Sequence, residues 1–314
     1  MASPKLWHEE YKVEDSDKMV NFHVWTYGDA PPQPEKFMED HIAFSKSQIA
    51  YFGSFPTSNY HFLYLLPSDM EVRHGVEHED STVIALGPSA KIQSQNGYNE
   101  LVGIASHELY HTWNVKRIRP SEWTPYNFES SSPSRLGYIA EGVTTYMGDL
   151  FLLESGCIDL KRWSKLMEAL LYRHLNNSGR HNLSVAESSY DTWLDGYRQG
   201  VKGRKGSIYV EGSVLAFICD TRIMKVTEGE SSLSTAMKIL WERFGKPRIG
   251  IVANDYWDVL AEVAGERLDD LREKYADGTE DTWDDLVECM LANGLVLTKS
   301  TDEKGLVKAS LNPA

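Results

Sequence analysis

Cysteine is scarce. Cys157, Cys219 and Cys289 are the three in a chain of 314 residues, far apart and without a Cys-x-x-Cys pair. So sparse and odd a set argues against a disulfide framework or a thiolate metal knot, and fits core thiols in a reducing compartment. Long apolar runs are missing as well. The longest, Phe62 to Leu66 and Val214 to Cys219, fall far short of the roughly 20 residues that span a bilayer, so no membrane partner is expected. The opening residues Met1 to Trp7 lack the apolar stretch of a secretory signal, which favours a cytoplasmic location. Clustered positive charge is absent too. With 32 Lys and Arg against 46 Asp and Glu, the formal charge of −14 speaks against nucleic acid as a partner. The small basic group Lys202, Arg204, Lys205 reads as a solvated loop. Internal repeats and low-complexity segments are not found, and the sequence does not set an oligomeric state.

What remains is an ordinary globular composition, long enough for one large domain or two lobes. Alternation predicts strands at 19–27, 59–66 and 81–86, with an amphipathic helix at 35–52 ending at Gly53. A Pro-rich turn follows Asp29. The segment Arg73 to Asp80 is too polar for core. A helix is expected over 98–115, a loop over 116–137, and helices over 138–155 and 160–175. A polar connection over 176–206 leads to helices at 208–226, 233–244, 256–264 and 283–292. Strands with helices first and helices afterwards give an α+β class. The expected organisation is a leading strand over 1–28, an α/β lobe over 29–155, a helical lobe over 156–296 and a linker-like tail over 297–314.

The chemistry concentrates in Ile104 to Asn114, which contains His107, Glu108 and His111 as a His-Glu-x-x-His pattern. On a helix, residues four apart share a face, so both imidazoles can address one metal ion while Glu108 stands beside them without ligating. Apolar residues around them, Val102, Ile104, Ala105, Leu109 and Trp113, mark the helix as buried. A catalytic zinc takes three protein ligands and keeps one position open. Glu141, on the next helix, is the candidate third ligand; its alternative is a solvated glutamate favoured at a helix start. Asp149, eight residues on, is either an acceptor for a ligand histidine or a helix-surface carboxylate.

Around these residues the chain resembles the glycyl aminopeptidase family of gluzincin zinc metallopeptidases. The resemblance rests on His107 to Pro120 and Ala140 to Asp149. Gly75 to His78, Ala186 to Trp193, Tyr209 to Gly212, Leu240 to Arg243 and Gly278 to Glu280 follow in the family's order, from about residue 19 to 296. It implies a thermolysin-like zincin with Zn²⁺ between an α/β lobe carrying a small sheet and a mostly helical lobe. The family's upstream β domain and downstream PDZ domain are not expected within these residues. Residues 1–28 read as a remnant of the former.

The resemblance also implies roles. Tyr209 would face the developing oxyanion, its alternative being a core tyrosine. Glu77 would hold the free α-amine of a peptide, its alternative a loop carboxylate. The strand at 81–86 is the expected edge for the substrate backbone. The implied activity is a zinc-dependent aminopeptidase acting on peptides with a free N-terminus and preferring small first residues, Gly or Ala. The alternatives are a thermolysin-like endopeptidase and a metal-containing peptide-binding protein without catalysis.

Overall fold

The computed structural model describes residues 6–28, 33–195 and 200–314. The Pro-rich turn after Asp29 lies mostly outside them. Backbone contacts divide the chain into two compact units, Met1–Lys116 with Met147–Asp159, and Arg117–Tyr146 with Leu160–Ala314. The segment bearing Glu141 is thus grouped with the later helices.

In the first unit, strands β1 (Leu6–Glu14), β2 (Met19–Gly28), β3 (Asn59–Leu66), β4 (Val72–Glu77) and β5 (Ser81–Gly87) form one sheet in the order β1-β2-β3-β5-β4. The two inner pairings are parallel, and the edge strands β1 and β4 are antiparallel to their neighbours. Period-two burial separates the faces. Val20, Phe22 and Val24 of β2 and Tyr60, Phe62 and Tyr64 of β3 point inward and are buried. Helix α1 (Pro34–Phe52) adds Phe37, Phe44 and Phe52 to this aromatic layer. It stops at Gly53, whose φ of 80° lets the chain leave in the left-handed conformation. A short α2 (Ser89–Ile92), α3 (Gln95–Tyr110) and α4 (Thr144–Glu154) complete the unit's helices, with residues 144–146 counted in the second unit.

Two elements differ from expectation here. β1 is a full strand that alternation does not announce, because only Tyr11 and Val13 face the core. Residues 72–77, expected only to lie outside the core, have no buried residue but form a strand, and β5 is consequently paired on both sides. Among the described residues, β4 is the outer strand on that side.

The second unit is built on α8 (Ile208–Val226), buried nearly all round and therefore lacking a polar face. About it stand α5 (Leu160–Leu175), α6 (Val185–Tyr190), α7 (Thr192–Asp195), α9 (Leu233–Leu240), α10 (Ala253–Ala264), α11 (Asp269–Leu271) and α12 (Trp283–Ala292). The short α6 and α7 occupy a segment that has no helical period in the sequence. Asp220 of α8 is buried but satisfied, accepting the Leu233 N–H at 2.7 Å and the Tyr146 hydroxyl at 2.5 Å. The tail is not a frayed end. β6 (Leu295–Thr301) and β7 (Val307–Pro313) pair as a hairpin. Asn176 accepts the Val307 N–H and donates to its carbonyl, and Glu168 accepts the Leu311 N–H. Among the described residues no helix is long and apolar enough to cross a membrane.

His41 of α1 is sealed in the aromatic layer. Its Nδ1–H donates to the Phe37 carbonyl at 2.7 Å, and its Nε2 accepts the Tyr64 hydroxyl at 2.6 Å. Burial pushes its pKa down to about 4, although Phe37 and Asp40 pull the other way. The unfolded chain therefore takes up a proton at this residue between pH 6.5 and 4 while the folded chain does not. Stability contributed by the neutral ring is full above pH 6.5 and is lost as pH falls towards 4, by about 3 kcal/mol in all. A His41→Gln variant should be less stable at neutral pH and lack this part of the acid slope. Urea unfolding of both proteins at pH 4, 5.5 and 7 measures the difference.

Candidate metal centre

Ser94 begins α3 by accepting the Gly97 N–H with its hydroxyl. His107 lies in the last turn and His111 just past it, still with helical angles (φ −58°, ψ −19°). Four residues of spacing therefore place both rings on one side. Their Nε2 atoms face one another at 3.0 Å, with the ring planes near perpendicular. His111 Nδ1 is 2.8 Å from the Asn114 carbonyl. A carbonyl only accepts, so Nδ1 carries the proton and Nε2 keeps its lone pair. That is the tautomer a metal-binding imidazole needs.

The helix is held from behind. The Gln48 side chain donates to both the carbonyl and the hydroxyl of Ser106, each at 3.0 Å, and Ser106 donates to the Gly148 carbonyl at 2.8 Å. Gly148 lies against the His107 backbone, where an added Cβ would stand 3.1 Å from its Cα. Absence of a side chain is what allows this approach. The helix carrying Gly148 continues backwards into a wide π-type turn, Tyr138–Val143, so Glu141 sits about two turns earlier on the same rod. Glu141 is half-buried. Glu141 lies on the part of that helix counted with the second unit, His107 and His111 in the first. Two imidazoles and a carboxylate are the donor set of a three-ligand zinc site.

Glu108 is 5% exposed. Oxygens of Glu108 and Glu77 and a nitrogen of His111 form a group, mutually within 4.8 Å. Glu77 is the half-buried last residue of β4, opposite Thr82. Two carboxylates so close favour a cationic guest between or beside them. β4 passes directly over Glu108 at Gly75, where an added Cβ would be 2.1 Å from Glu108 Oε1.

The remaining sequence candidates are placed singly. Tyr209 is half-buried in the first turn of α8. Asp149 is half-buried beside Gly148. The acceptor for the second nitrogen of His111 is the Asn114 carbonyl, a backbone group that leaves no trace in a sequence motif. Gln48, Ser106 and Gly148 were equally invisible as supports, because they act from separate elements. Gly75 lies within a motif, but its spatial task shows only in three dimensions.

A methyl group at Gly75 meets the far end of a flexible side chain, not backbone, and Gly75 has no left-handed backbone to lose. The Glu108 carboxylate should therefore yield while the fold persists. A Gly75→Ala variant is expected to unfold within about 1 kcal/mol of the parent. Its crystal structure should show the Glu108 carboxyl displaced from Glu77 and His111.

Residues 100–215 match the family model of the M61 glycyl aminopeptidases. Among solved structures, an aminopeptidase N family protein from Idiomarina loihiensis matches with a TM-score of 0.85 and 25% identity, over 96% of this chain and 52% of that one. An M1 zinc metallopeptidase from Deinococcus radiodurans matches with a TM-score of 0.57 and 14% identity, over 88% of this chain and 53% of its own. A mutant M1 zinc metallopeptidase from the same organism, bound to a Tyr-Ser-Ala substrate, gives 0.56 and 13%, covering 88% and 52%. At these lower identities the likeness is one of fold. The chain spans about half the length of the structures it matches. No curated protein matches it. The stretch 100–215, which contains His107, Glu108, His111, Glu141 and Tyr209, is thus a match to the M61 glycyl aminopeptidase family, in agreement with the motifs of the sequence.

Proposed function

We propose that this chain is the catalytic part of a zinc-dependent aminopeptidase, releasing the first residue of peptides and preferring small ones such as Gly and Ala. The observation that carries the reading is the pair of facing Nε2 atoms on His107 and His111, with the His111 tautomer set by Asn114 and the Glu108 and Glu77 carboxylates grouped with a His111 nitrogen within 4.8 Å. His107, His111 and Glu141 are the proposed ligands, in the thermolysin-like arrangement that the family resemblance implies. Bound zinc would supply Lewis acidity, lowering the pKa of water toward about 7 and polarising the scissile carbonyl.

The chain's own groups do the rest. Glu108 accepts the proton of the attacking water and passes it to the departing amine. Its burial, beside the glycine of β4, holds the carboxylate in one place. Tyr209 donates its phenol hydrogen to the oxygen on which negative charge develops. Glu77 receives the α-ammonium group, which limits cleavage to the first peptide bond. The outer edge of β4 accepts the substrate backbone as an added strand. Asp149 is assigned to the second ring nitrogen of His107, whose backbone the neighbouring Gly148 touches.

Replacing Glu108 by Gln should lower kcat by about 10²–10⁴-fold while zinc content, measured by mass spectrometry, stays at the parent level. An unchanged rate would remove Glu108 from the chemistry. Glycyl and alanyl chromogenic amides compared with their N-acetyl forms test the ammonium site. Acetylation should abolish turnover, and equal turnover of both forms would make the enzyme an endopeptidase and Glu77 a structural residue.

A further inference from the structure

A second set of metal-ligating side chains stands on the outward face of the sheet, on β1 and β2. Antiparallel pairing puts Glu10 directly opposite His23 and His8 opposite Trp25. Strand alternation sends all four side chains to the same face, away from buried Tyr11, Phe22 and Val24. His8 Nε2 is 3.4 Å from His23 Nδ1, and His23 Nδ1 is 3.6 Å from Glu10 Oε2. Donor atoms of the three residues are mutually within 4.8 Å.

Donors of a zinc ion with bonds of about 2.0–2.2 Å stand about 3–3.6 Å apart. The two separations at His23 Nδ1 fall in that range. A hydrogen bond between the two imidazoles explains them less well, since 3.4 Å lies beyond the usual 2.7–3.2 Å range and leaves the carboxylate out.

The rings are also held in place. His8 stacks on Trp25 with centroids 3.7 Å apart, and His23 stacks on His61 at 4.6 Å. The Trp25 indole N–H donates to His61 Nδ1 at 3.2 Å, which ties the platform to β3.

We propose that His8, Glu10 and His23 form a second, surface zinc site that clips the edge strand β1 to β2, leaving one coordination position open to solvent. The proposal does not rest on the peptidase reading, and the test separates the two. The whole chain is stripped with chelator and dialysed against Zn²⁺, and bound metal is counted by mass spectrometry. The parent, His8→Gln/His23→Gln, His107→Ala/His111→Ala and the fourfold variant are compared, with circular dichroism as the check on folding.

The expected equivalents are two, one, one and none. With Co²⁺ in the His107→Ala/His111→Ala protein, an intense tetrahedral visible band should appear and should vanish in the fourfold variant. If His8→Gln/His23→Gln binds as much zinc as the parent, the surface site does not exist. If instead only the His107→Ala/His111→Ala change leaves zinc binding intact, the surface site stands and the metal reading of the His-Glu-x-x-His helix falls.

Discussion

Two imidazole nitrogens held 3.0 Å apart are the constraint on which the first unit turns. At that distance a proton or a cation between them holds the two together, and the surroundings decide how the rings are oriented. The Asn114 carbonyl orients one ring. Gln48, Ser106 and the Gly148 carbonyl form a continuous hydrogen-bonded brace between α1, α3 and α4. Each link is buried, and buried polar links are costly to break because the orphaned partner cannot recover water. The brace therefore holds α3 in place against α1 and α4.

Glycine serves the site twice, by the same means and to different ends. At Gly148 the missing side chain brings helix backbone against helix backbone, α4 against α3 at His107. At Gly75 it brings strand backbone over a carboxylate, which leaves Glu108 beside Glu77 and His111. The first contact is rigid on both sides and bears on stability. The second has a movable partner and bears on where one carboxyl group rests.

Much of this was legible in the sequence where a periodic signal is long. Helices α5, α8 and α12 and strand β3 begin and end at the residues their patterns predict, since each buries a continuous stripe or alternating row. The helix bearing the histidine pair, and the histidines themselves, were legible for the same reason. Short elements were not. β1 buries only Tyr11 and Val13, and β6 with β7 bury only Leu295, Leu297, Ala309 and Leu311, too few alternations to stand out from a polar tail. β4 has no buried residue at all, because its face is spent on Glu108 and Glu77, so propensity and pattern both point to a loop. Supports such as the Asn114 carbonyl had no residue-type signal to read.

The sheet's two open edges show how differently the same liability can be handled. An unpaired edge offers a row of backbone donors and acceptors to any passing strand, and proteins normally blunt it with charge, bulges or cover. β1 carries His8, Glu9, Glu10 and Lys12 on exposed positions, a charged edge that discourages pairing with another chain. β4 lacks that defence along Gly75 and Val76, yet ends in Glu77 beside Glu108. A strand that added itself there would bring its end towards two carboxylates. On the function proposed above, a chain presenting a positive group at that point gains most from the approach, so the edge would select an amino terminus over strands in general.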